Sequence, residues 1–143
     1  MSDLYDRDFY AWANEQAALL RAGRLSTADI AHIAEEIESM GRSEKRELTS
    51  RLAVLLAHLL KWRFQPERRG RSWQATIREQ RSEVADVLAD NPSLEARLDE
   101  LLSNAYGKAV QIAIRETDLP EETFPAICPW TFEQSMRCEP GSI

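Results

Sequence analysis

The chain has 143 residues and a formal net charge of −6, with a pI near 5.0. That length is one domain, long enough to bury a core without disulfides or metal, and the acidic balance argues against general nucleic-acid binding, which usually shows a basic domain. Hydrophobic content of 43% and charged content of 29% are ordinary for a soluble globular protein. No apolar run approaches the roughly 18–20 residues of a membrane span, and "MSDLYDRDFY" has no apolar stretch that would make it a signal peptide. Cys128 and Cys138 form neither a disulfide framework nor a CxxC pair. A cytoplasmic protein with reduced thiols and no membrane association is expected.

Helical periodicity runs through nearly the whole chain. Phe9, Trp12, Ala13, Leu19 and Leu20 recur at i, i+3, i+4 spacing until Gly23. A second segment opens with Ser26 as the expected N-cap, carries Ile30, Ile33, Ala34, Ile37 and Met40, and is expected to close at Gly41. The third, from Ser43, has the strongest stripe: Leu48, Leu52, Leu55, Leu56, Leu59 and Trp62. Pro66 and Gly70 break it.

Ser72 is the expected cap of a fourth helix with Trp73, Ile77, Val84, Val87 and Leu88 on one face. Ser93 is the expected cap of a fifth, from Leu94 through Ile112. Gly107 within it predicts either a break or a closely packed neighbour. After Thr117 the proline-rich tail reads as irregular, with one short helix capped by Thr131. The prediction is a single all-α domain, residues 1–143, built as a compact bundle of about five helices with an irregular tail from about 118.

Nucleotide-binding, zinc-protease and nucleophile-elbow motifs are absent, and two histidines cannot build a three-histidine zinc site. His32 and Glu36, four residues apart, can share a metal from one helix face. That spacing is more often a solvated pair, so neither metal nor cofactor is expected. Helical phase sets Gln16, Glu36, His58, Gln80 and Arg81 toward or along apolar faces of four helices. Buried polar groups need partners. The simpler reading is a network fixing helix register, with Arg81 largely buried on the carboxylate of Glu36; the sharper one is a pocket between helices.

One stretch departs from the acidic average. His58–Arg81 carries seven basic and two acidic residues, and its Lys61, Arg63, Arg68, Arg69 and Arg71 lie among Trp62 and Trp73. Arginine beside tryptophan can hold a phosphate or stack a base. Compensation by acidic helices bearing Glu35, Glu36, Glu38, Glu95, Asp99 and Glu100 explains the island without a ligand, and is preferred.

The stretches "DFYAWANEQAALLRAGR", "IAEEIESMGRSEKREL", "LLAHLLKWRFQPERRGRSWQATIREQR" and "FPAICPWTFEQ" occur in the order in which they resemble the bacterial family called domain of unknown function twenty-nine, from about Tyr5 to Gln134. The resemblance implies an all-helical bacterial protein and carries over no activity or catalytic residue; "RCEPGSI" lies outside the familiar pattern. The expected function is therefore a non-catalytic helical interaction module that self-associates or binds a partner protein, with Phe124, Trp130 and Phe132 either offering contact surface or only covering the core. The alternatives are anion or nucleic-acid binding through residues 61–71, or an enzyme sited at the polar constellation. Whether Cys128 is reactive depends on surroundings.

Overall fold

The computed structural model describes residues 4–139, and among these the protein is all-α. Six helices follow in order: α1 (Leu4–Arg7), α2 (Phe9–Arg21), α3 (Ile30–Phe64), α4 (Arg71–Asp90), α5 (Leu98–Thr117) and α6 (Phe132–Arg137). Short 3-10 turns at Pro66–Arg68, Pro92–Arg97 and Glu121–Thr123 connect the later ones. Residues 140–143 of the expected tail lie outside the described residues.

The largest departure from the sequence reading is α3. The second and third expected segments are one helix of 35 residues, and Gly41 does not interrupt it. A glycine ends a helix by adopting the left-handed conformation. Gly23 does so at φ 71°, with its N–H bonded to Leu20 O and the next N–H to Leu19 O. Gly41 stays helical, at a cost of about 1 kcal/mol relative to alanine.

Three expected caps also change. Asp29, rather than Ser26, starts α3: its carbonyl accepts from Ile33 N at 2.9 Å and its carboxylate from His32 N at 3.4 Å. Gly70 stands at the start of α4 and Arg97 at that of α5, both without a side-chain cap; Ser72 lies inside α4, and Ser93 inside the 3-10 turn that Pro92 opens. Thr131 does cap α6, with a reciprocal capping box to Gln134.

Contacts divide the chain into two compact units, one ending at Ser43 and one beginning at Glu44, with α3 contributing to both. In the first unit, α2 packs antiparallel to the opening turns of α3. Asp8 starts α2 by accepting from Ala11 N. This hairpin has little interior, since Trp12 and Gln16 are the only buried residues of α2 and nothing in α3 is buried before Leu48.

The second unit holds the core. Leu48, Leu52, Leu55, Leu56, Leu59 and Leu60 of α3 are wholly enclosed. They meet Ile77, Val84 and Val87 from α4, and Leu101, Leu102, Ala105, Tyr106, Ala109 and Ala113 from α5. Phe124 and Trp130 from the tail close the remaining side, and Phe132 is half-buried against the core. Phe124 and Trp130 are thus part of the core, and Phe132 is packed against it. Gly107 lies on the exposed side of unbroken α5, and a Cβ there would meet nothing within 4 Å, so it neither breaks the helix nor admits a neighbour.

Gly23→Ala is expected to destabilise by about 1 kcal/mol, because its left-handed backbone disfavours a side chain. Gly107→Ala is expected to stabilise by a similar amount through helix propensity. Denaturant midpoints of the two variants should move in opposite directions.

Candidate functional site

In the N-terminal hairpin a polar network is centred on Asp29. Its carboxylate accepts from His32 Nδ1 at 2.7 Å and from Trp12 Nε1 at 3.1 Å. Its backbone N–H donates to Gln16 Oε1 at 2.7 Å, which gives the buried amide of Gln16 its partner. Tyr5 stacks flat on the imidazole of His32, centroids 3.9 Å apart and planes 10° apart. The Tyr5 hydroxyl donates to Glu36 Oε1 at 3.3 Å. One carboxylate thereby starts α3, orients an imidazole and ties α2 to α3.

Hydrogen bonding to Asp29 raises the pKa of His32, and the same bond holds the Asp29 carboxyl below its usual range. His32 and Glu36, the metal candidates, are thus engaged with Asp29 and Tyr5, and among the described residues no group of three or more ligating side chains could hold a metal. The contribution of His32 to stability is fully present below its unfolded pKa of about 6.5 and is lost as pH rises through the higher folded value. A proton NMR titration should place His32 above 6.5. Asp29→Asn, which keeps a competent N-cap, should bring it back toward 6.5.

The five residues of the constellation are divided between the two units. Gln16 and Glu36 belong to the hairpin network. His58, in the second unit, is half-buried with Nδ1 2.9 Å from Val54 O, and burial pushes its pKa down. Gln80 is buried, and its Oε1 has no hydrogen-bond partner among the described residues.

Arg81 corrects the expectation most directly. It is half-buried rather than enclosed, and its acceptors are carbonyls rather than the Glu36 carboxylate. Nε donates to Ser135 O at 2.9 Å and Nη2 to Cys138 O at 2.6 Å. Those carbonyls belong to the end of α6, where the helix leaves its last C=O groups without intrahelical partners and the dipole favours a cation. Arg81 therefore caps α6 and fastens the tail to α4.

The basic segment also divides. Lys61 is buried and donates to Glu116 Oε1 at 2.8 Å, with its ammonium 4.9 Å from the Trp73 ring centre. Arg69 lies over the Trp62 ring and donates through Nε to Trp62 O. Arg63, Arg68 and Arg71 are exposed, and among the described residues none meets a carboxylate at salt-bridge distance. Compensation is confined to Lys61, and its partner Glu116 is not among the acidic residues expected to supply it. The sequence held a signal for this pair: Glu116 sits near the end of the α5 stripe, but only the packing of α5 on α3 shows that it meets Lys61.

The Lys61 hydrogen bond lowers the pKa of Glu116 from 4.5. The pair's contribution is present above 4.5 and is lost as pH falls through the lower folded value. Glu116→Gln leaves a buried ammonium without its anion. It should cost about 1–3 kcal/mol, less than for a fully enclosed pair because Glu116 is partly screened. Lys61→Met combined with Glu116→Gln should cost less than the two single changes summed, as a denaturant double-mutant cycle would show.

Cys128 and Cys138 carry free thiols. Burial raises the pKa of Cys128, the opposite of the depressed thiol pKa that marks a reactive cysteine. Among the described residues no helix is long and apolar enough to cross a membrane. A cavity of about 640 Å³ is an open, mainly apolar groove between the end of α4 and α6, lined by Ala85, Leu88, Pro92, Phe132 and Met136. It contains none of the constellation.

Comparison of the whole chain with family models matches residues 4–139 to Domain of unknown function DUF29. The chain belongs to that family. The match continues to Glu139, so Arg137, Cys138 and Glu139 lie within the family's pattern rather than beyond it. Comparisons with curated proteins and with solved structures find no match.

Proposed function

We propose that this protein is a non-catalytic helical interaction module, working in the bacterial cytoplasm, whose contact face is the apolar side of its N-terminal hairpin. One observation carries the reading. Of the eight large hydrophobic side chains exposed among the described residues, seven lie between Phe9 and Met40: Phe9, Tyr10, Leu20, Leu25, Ile30, Ile37 and Met40. Single exposed apolar residues need no explanation, whereas a concentration of them on one small element is the mark of an interaction surface. The same hairpin has almost no interior, and a helix pair of about 40 residues rarely holds together without burying its apolar face on something.

A second reading, anion or nucleic-acid binding, is favoured by the uncompensated Arg63, Arg68 and Arg71. It requires affinity for single- or double-stranded nucleic acid that falls steeply with salt.

A photo-crosslinking amino acid placed at Ile30, Ile37 or Met40 in the producing cell tests the main reading. Discrete adducts are expected from these positions and none from Glu35 or Glu38. Absence of adducts from all three apolar positions would overturn it.

A further inference from the structure

The face described above has a definite shape. On α3, Ile30, Ile33, Ile37 and Met40 follow the 3-4-3 spacing of a heptad seam. Ala34 and Gly41 fall beside that seam by helical phase, and both are exposed. Every charged residue of this stretch (Glu35, Glu36, Glu38 and Arg42) lies on the remaining arc. On α2, Phe9, Ala13 and Leu20 likewise run next to the side that packs on α3.

Antiparallel helices wind in opposite senses when viewed from one end. Both stripes therefore advance from the seam between α2 and α3 toward the same side of the hairpin. The result is one apolar face flanked by small residues.

We propose, resting on the interaction-module reading, that a second copy of this chain covers this face, so that two hairpins form an antiparallel four-helix bundle about a two-fold axis. Three observations select a second copy. The seam is self-complementary when reversed: an antiparallel register sets Ile33 opposite the partner's Ile37 and Ile30 opposite the partner's Met40, apolar against apolar throughout. A two-fold interface requires such self-matching. The area also suffices. Phe9, Leu20, Ile30, Ile37 and Met40 are 42–63% exposed. They offer on the order of 500 Å² a copy and about 1,000 Å² in the pair, the threshold for a specific interface before its polar rim is counted.

Gly41 is the third. It is an unbroken helical residue whose added Cβ would meet nothing within 4 Å. Nothing among the described residues therefore asks for glycine at a position that weakens the helix. A neighbouring helix brought close along Ala34 and Gly41 does ask for it, since a small residue at a helix crossing lets the backbones approach.

Sedimentation velocity of the full chain at about 100 µM, well above a micromolar dissociation constant, tests the inference. Wild type should sediment as a dimer. Ile37→Glu, at a position 59% exposed and so harmless to the fold of one copy, should be monomeric with unchanged helical circular dichroism. Gly41→Ala should weaken the dimer about tenfold while raising thermal stability in a dilute, monomeric sample. Gly107→Ala should leave association unchanged. A monomeric wild type overturns the second copy as occupant, as does a dimer indifferent to Ile37→Glu. Discrete crosslinked adducts in the cell alongside a monomeric purified chain would sink the two-fold pairing and leave the interaction reading standing. Loss of both would remove the two together.

Discussion

The second half of α3 is apolar over all but one face, and the rest of its unit follows from the need to cover it. From Leu48 to Trp62 eleven of fifteen residues are buried, and the four that are not (Ser50, Arg51, Val54 and His58) share one face of the helix. A helix facing one neighbour needs only a narrow stripe of apolar side chains; one that is apolar over most of its circumference must be covered from several sides. Burying each such leucine contributes about 1.5–3 kcal/mol relative to leaving it in water. α4, α5 and the tail are the cover, which is why Phe124 and Trp130, in a segment with little regular structure, are as deeply buried as helical core residues.

Polar groups near that core are handled locally and with few charges. Lys61 lays its stem against the interior and reaches Glu116 and the face of Trp73, so the ammonium has both an anion and a ring quadrupole. Arg81 uses carbonyls that the end of α6 leaves open. The tail is thereby held by an arginine whose charge never needs a buried carboxylate.

The first unit shows the opposite balance. Its order comes from a polar hub rather than from a core: Asp29 joins Trp12, Gln16 and His32 through hydrogen bonds, and Tyr5 closes over the imidazole. Directional bonds of this kind fix the geometry of α2 on α3 but remove little apolar surface from water. The exposed isoleucines and methionine of α3 are the consequence. Assembly through the hairpin would join both facts, because association would supply the burial that two helices cannot supply each other.

The helical class of the segments, the stripes of α3, α4 and α5, the stop at Gly23 and the cap at Thr131 were legible in the sequence, because each depends on residues within one or two turns. The expected break at Gly41 was not correct, since a glycine ends a helix only if the following chain turns away, and that is decided by what surrounds it. The cap at Asp29 was displaced from Ser26 because Trp12, His32 and Gln16 all engage Asp29. Phase alone set Gln16, Gln80 and Arg81 near apolar faces, but it carried no information about distance across the fold. Arg81 finds its acceptors 54 and 57 residues away along the chain, and Lys61 finds Glu116 at a separation of 55. Periodicity is a local property and determined the all-α class; the partners of buried charges depend on which elements pack together, and only the tertiary structure decided them.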